Sequence, residues 1–227
     1  MWVALLLILI VIVIFGPQLW TRWVFAQYSE PRADYPGTGG ELARHLLKRL
    51  DMTHITVDET DKGDHYDPET KTVRLTAEHF NGKSLTAITI AAHEVGHAIQ
   101  DHIGYPALAE RTRLVRFAHG AEKLGAVVMM GIPLATALAR TPMAGILVLM
   151  AGIATMGIST LVHLLTLPVE WDASFRRALP ALQQGNYLSS DDMRGARRIL
   201  TAAALTYVAA SLASLLNLWR WVAFLRR

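Results

Sequence analysis

The chain has 227 residues, 52% of them hydrophobic and 18% charged, with 22 Lys and Arg against 19 Asp and Glu for a formal net charge of +3. Bases interspersed among acids at so small an excess argue against a nucleic-acid-binding surface, and the apolar content exceeds that of an ordinary soluble domain. The absence of cysteine removes disulfides and thiolate ligands from consideration.

The first stretch, Met1 to Leu19, carries no charge. It lacks a basic start and a small-residue cleavage site, so it reads as an uncleaved anchor over residues 1–25 rather than a removable signal. Trp20, Trp23 and Phe25 follow where an interfacial aromatic belt belongs. Pro31 to Gly40 is a linker rich in Pro and Gly. Glu41 to Leu50 places Leu42, Leu46, Leu47 and Leu50 at helical spacing, which predicts a short amphipathic helix with His45 at the surface. Ile55 to Val57 is a short β-branched run. Beyond it, Asp67-Pro68-Glu69-Thr70 reads as a turn between His65-Tyr66 and the alternating strand Thr72 to Thr76. That hairpin serves either to pair an extended substrate along an edge strand or simply as structure.

Ser84 is placed to cap a helix over Leu85 to Ile103, which Gly104 and Pro106 terminate. Within it His93, Glu94 and His97 spell H-E-x-x-H. Residues four apart share a helical face, so both imidazoles can reach one metal ion, with Glu94 at the edge of that face beside a metal-bound water. Zinc lowers the pKa of such a water to about 7, and the carboxylate accepts its proton as the water attacks a carbonyl. The plainer reading is a polar helix face bearing two histidines. Gly96, between the ligands, leaves room for a neighbouring element.

Further uncharged runs span 124–139, 143–167 and 199–218. With the first run they predict about four membrane spans, the middle pair forming a hairpin across Arg140-Thr141-Pro142. Arg176, Arg177, Arg194, Arg197 and Arg198 lie in the short loop before the last run, which places the catalytic segments on the cytoplasmic side. Glu170 opens the polar segment after the third run. Two crossings after His97 return the chain to the same side, so Glu170 is the expected third metal ligand, with His163, Asp172 and His102 as competitors. Tyr66, His102 and Arg176 are the polar groups available as oxyanion stabilisers, with none assigned.

Four segments together, Asp64-His65-Tyr66-Asp67-Pro68, Thr72-Val73-Arg74-Leu75, Ala92 to Gln100 and Leu167 to Ser174, resemble the YugP-like neutral zinc metallopeptidases of bacteria. The resemblance runs from about Thr38 to the C-terminus. It implies a membrane-embedded zinc protease with Glu94 catalytic and His93, His97 and Glu170 on the metal. The layout is also similar to HtpX-type membrane proteases, whose downstream motif is E-x-x-x-D; Ser174 stands here where that motif has Asp. The expected fold is a mainly α membrane protein with about four transmembrane helices and a small α+β, zincin-like catalytic domain carrying a short β-hairpin or sheet. The expected segments are an anchor over 1–25, a catalytic segment over 38–123, a transmembrane hairpin over 124–167, a third-ligand segment over 168–198 and a last transmembrane helix over 199–225. Zinc is the expected cofactor, and a peptide or membrane-protein substrate and the lipid bilayer the expected partners. The expected place is the bacterial inner membrane, in a multi-pass arrangement. The alternative function is a non-catalytic, zinc-binding membrane adaptor.

Overall fold

The structure is a computed structural model that describes residues 2–118 and 165–225, with positions 120, 150, 158, 161 and 162 isolated between them. Helix α1 (Trp2–Gln27) leads through a loop to α2 (Gly39–Arg49). The start of α2 is fixed by a reciprocal cap: the Thr38 hydroxyl accepts from the Glu41 N–H, and the Glu41 carboxylate accepts from the Thr38 N–H. Strands β1 (Thr56–Thr60), β2 (His65–Asp67) and β3 (Thr72–Thr76) form a three-stranded sheet in the order β1-β3-β2. β1 runs parallel to β3, and β2 pairs with it antiparallel, Tyr66 opposite Val73. The turn at Asp67 closes the hairpin, its carboxylate accepting from the Glu69 N–H at 2.9 Å and from the Thr70 hydroxyl at 2.8 Å.

After the short α3 (Ala77–Asn81) comes α4 (Leu85–His102), capped by the Ser84 hydroxyl, which accepts from the Ala87 N–H at 3.1 Å. Gly104 then adopts a left-handed φ of 66°, ending the helix before Pro106. The sequence predicts a single buried stripe on α4. Instead every residue from Leu85 to Ala98 is buried, because α2, α3, the sheet, the segment after Glu170 and the C-terminal helix that begins at Ser190 surround it. A helix α5 covers 106–118 and a helix α6 covers 165–171. The chain continues directly into a π-helical stretch, Asp172–Ala178, then α7 (Leu179–Gln184) and α8 (Ser190–Leu225).

The core joins these elements: Leu46 and Leu47 of α2, Leu75 of β3, Val95 of α4, Leu182 of α7, and Ile199 and Leu200 of α8.

The expectation of about four membrane spans is corrected here. Among the described residues no helix is long and apolar enough to cross a membrane. Ile199, Leu200 and Ala202 of the last apolar run, and Val24 just beyond the first, are buried in the protein's own core. The Thr21 hydroxyl of α1 lies 2.7 Å from the Ala202 carbonyl of α8, so the two helices engage each other through polar as well as apolar groups. Composition counts apolar residues without saying which surface they cover, and these cover protein. The transmembrane hairpin expected over 124–167 falls mostly outside the described residues, as does His163. The expected multi-pass arrangement and cytoplasmic orientation depended on those spans.

Candidate metal centre

Helix α4 presents His93 and His97 on one face, with ring centroids 4.8 Å apart. Glu170 arrives at the end of α6, only 2% exposed. One of its oxygens, Oε2, lies 3.1 Å from His93 Nε2 and 3.3 Å from His97 Nε2. Donor atoms from the three side chains all fall within 4.8 Å of one another, so His93, His97 and Glu170 form a buried group that could hold a metal ion. Two imidazole nitrogens and one carboxylate oxygen are the donor set that suits a zinc with an open coordination position.

The outer nitrogens of both rings are also engaged. Gln100 Nε2 donates to the Val169 carbonyl at 2.8 Å and to Asp172 Oδ2 at 3.0 Å. Both partners are pure acceptors, which fixes the amide's orientation and leaves Gln100 Oε1 facing His97 Nδ1 at 2.9 Å. Nδ1 therefore carries a proton, which leaves Nε2, on the Glu170 side, as the nitrogen a metal would take. Asp172 is in turn held by Arg177 Nε at 3.2 Å. On the other ring, the Ser174 hydroxyl lies 3.1 Å from His93 Nδ1. Such contacts set ring orientation and raise ligand basicity. Ser174, standing where the related motif has Asp, thus reaches the histidine.

The π-helical stretch makes this possible. In an α-helix Asp172 would point well away from Glu170, yet Glu170, Asp172 and Ser174 are all buried. The widened turn, in which the Leu179 N–H donates to the Ser174 carbonyl five residues back, lets consecutive alternate side chains face α4. Close approach depends on Gly96: a Cβ there would sit 2.6 Å from the Ala173 carbonyl oxygen.

Glu94 lies in the same cavity, a hollow of about 130 Å³ that Tyr66, Arg111 and Tyr207 also line. Burial pushes its carboxyl up to about 7, and the Glu170 and Asp64 charges add to this, against His93 and a hydrogen bond from the Tyr66 backbone N–H. A cation among the three donors would pull it down again. For Glu170 burial also works upward, but His97 and His93 outweigh it and hold the carboxyl well below its ordinary value. A larger hollow of about 480 Å³, beside α2 and Tyr187, contains none of the three donors.

Asp64, on the cavity wall, accepts from the Thr76 N–H at 2.8 Å and meets His79 Nδ1 at 2.7 Å. The Tyr66 hydroxyl donates to Asp101 Oδ2 at 2.6 Å. Of the other expected contributors, Asp172 is buried but turned to Gln100 and Arg177. His102 is exposed at the end of α4 beside His54, and Arg176 lines a different hollow with Trp171. Sequence reasoning gave no role to Gln100, Arg111 or Tyr207. Gln100 carried a usable signal, lying three residues from His97 and so on its helical face. Arg111 lies among scattered bases before the run 124–139 and Tyr207 within the run 199–218, so neither carries a local signal.

The chain matches, over residues 3–226, the family described as "Putative neutral zinc metallopeptidase". It belongs to that family. A curated relative from Bacillus subtilis (strain 168), described as "Putative membrane protease YugP", is 33% identical over 225 residues, covering 96% of each chain. No solved structure matches the chain. Zinc is accordingly the ion implied for the buried His93, His97 and Glu170 group.

Proposed function

We propose that this protein is a zinc-dependent endopeptidase in which His93, His97 and Glu170 hold the ion and Glu94 is the general base. The observation that carries the reading is the convergence of the two Nε2 atoms on one Glu170 oxygen, with Glu94 in the same cavity. Zinc bound there would polarise the scissile carbonyl and acidify water. Glu94 accepts the proton of the attacking water and returns it to the departing amine nitrogen. The Tyr66 N–H holds that carboxylate in place. Gln100 Oε1 keeps a proton on His97 Nδ1, and the Ser174 hydroxyl orients the His93 ring from its Nδ1 side.

An adaptor that keeps zinc for structure is disfavoured by the donor count: three groups and an adjoining cavity suit an open site, whereas structural zinc is closed by four ligands. The name of the Bacillus relative supports action at a membrane, and α1 offers exposed Ile12, Phe15, Leu19 and Trp23 as a surface for such contact. Peptides, including segments of membrane proteins, are the proposed substrates.

The test is direct. The purified chain should contain about one zinc per molecule and cut an unstructured protein such as β-casein internally. A chelator should abolish cleavage, and added zinc should restore it. Zinc binding with no cleavage of any peptide in a broad library would return the adaptor reading.

A further inference from the structure

The cavity contains a cation that the scheme above leaves without a task. Arg111, on α5, lines it beside the metal group and is 31% exposed. Its nearest recorded anion is Glu170 Oε1, 3.8 Å from Nη2, beyond hydrogen-bonding distance. Its Nε is buried with no hydrogen-bond partner among the described residues. The protein therefore braces this guanidinium weakly, and the part of the side chain that remains exposed can offer its N–H groups to an acceptor that enters the cavity.

Charge points the same way. A divalent ion among the donors is balanced by Glu170 and Glu94, while Asp64 is matched by His79. Among the described residues Arg111 remains as the surplus positive charge of this cavity. The alternatives on the same wall are engaged: the Tyr66 hydroxyl proton goes to Asp101, the Thr112 hydroxyl proton to the Leu108 carbonyl at 2.8 Å, and His65 Nδ1 faces the Gly63 carbonyl at 2.8 Å. Tyr207 lines the cavity as a phenol that burial, with the Glu170 and Glu94 charges, keeps protonated.

We infer that Arg111 is a catalytic residue that donates hydrogen bonds to the substrate carbonyl oxygen as it acquires negative charge. This deepens the peptidase reading and rests on it. When water oxygen adds to the carbonyl carbon, the carbonyl π pair moves onto oxygen, and Glu94 takes the proton released from water. Collapse re-forms the carbonyl, breaks the C–N bond, and the proton passes from Glu94 to the amine. Arg111 gains and loses no proton. Its fork supplies fixed donors where charge develops, which is where a donor is most effective.

The test uses the full-length zinc enzyme with Arg111→Gln and Arg111→Lys. Readouts are zinc affinity by chelator competition, turnover of a fluorogenic peptide that wild type cuts, and calorimetric binding of two probes. One probe is that peptide, bound to the Glu94→Gln background; the other is its phosphinic analogue, tetrahedral and anionic at the scissile position. Arg111→Gln should lose about 10²–10³-fold in kcat and comparably in phosphinic affinity, with peptide affinity changed less than about 3-fold and zinc affinity unchanged. Arg111→Lys should recover part of both losses. Equal loss for peptide and phosphinic probe would make Arg111 a substrate anchor and overturn the inference. A parallel fall in zinc affinity would reduce it to a prop for Glu170, and unaltered kcat would also overturn it. Wild type that holds zinc but neither cuts peptide nor binds the phosphinic probe overturns the peptidase reading, and this inference with it.

Discussion

The two sides of the α4 cavity are built to different ends. On one side the π-helical stretch after Glu170 sends Asp172 toward Gln100 and Ser174 toward His93, so its side chains act on the two histidines of the candidate metal group. On the other, the β2–β3 hairpin and α3 act on Glu94, the proposed base: the Tyr66 N–H lowers its carboxyl, and the charge of Asp64, which pairs with His79, raises it. Glu170 is the carboxylate that bears on both, because its charge is felt at Glu94 alongside that of His93. The difference teaches that ion holding and proton handling are separable here, and substitutions should divide accordingly.

The largest effect belongs to the shared residue. Glu170→Gln removes the carboxylate between the two imidazoles and should weaken zinc by more than the ~10–100-fold typical of supporting residues, with activity lost in parallel. Chelator competition measures the first and peptide turnover the second.

On the ion-holding side, Gln100→Leu strips His97 Nδ1–H and the Val169 carbonyl of their partner and should weaken zinc ~10–100-fold. Ser174→Ala removes one contact to His93 and belongs at the lower end of that range, about tenfold. Isothermal titration on the folded variants checks both, and an effect of Ser174→Ala larger than that of Gln100→Leu would place the main brace on the wrong histidine.

The smallest effect lies on the base side. For His79 burial lowers the pKa, but the Asp64 hydrogen bond and charge outweigh it and raise the imidazole above its ordinary value. For Asp64 burial works upward, and His79 with the Thr76 contacts brings the carboxyl below its ordinary value. The raised histidine contributes stability that is full below its unfolded pKa of about 6.5 and fades as pH rises through the folded value. The depressed aspartate contributes above about 3.9 and fades as pH falls through its folded value. The pair therefore helps most between those limits. His79→Gln should lower the melting temperature by a few degrees near pH 5.5 and by less at pH 9, leaving zinc affinity in place.

Much of this centre was legible because its signals are local. The i, i+4 spacing of His93 and His97, the Ser84 cap and the Gly104 stop are each set within a turn or two of chain, and α4 follows them. The turn at Asp67-Pro68 likewise announced the hairpin, and Gly96 the close approach that Ala173 makes. The rest depended on tertiary partners. No periodicity marks Asp172–Ala178 as π-helical, and an α-helical wheel turns Asp172 away from the face it occupies. Arg111 and Tyr207 enter the cavity only once α5 and α8 have been placed against α4. The error over membrane spans has the same origin: Ile199 and Leu200 are as apolar in a protein core as they would be in lipid.

The account turns on Glu94 handling protons without holding the ion. The decisive measurement is the zinc content and peptide turnover of Glu94→Gln beside wild type, each purified without chelator. The variant should retain wild-type zinc stoichiometry and lose ~10²–10⁴-fold or more in kcat. Near-normal turnover in Glu94→Gln, or loss of zinc to the extent seen with Glu170→Gln, would contradict it.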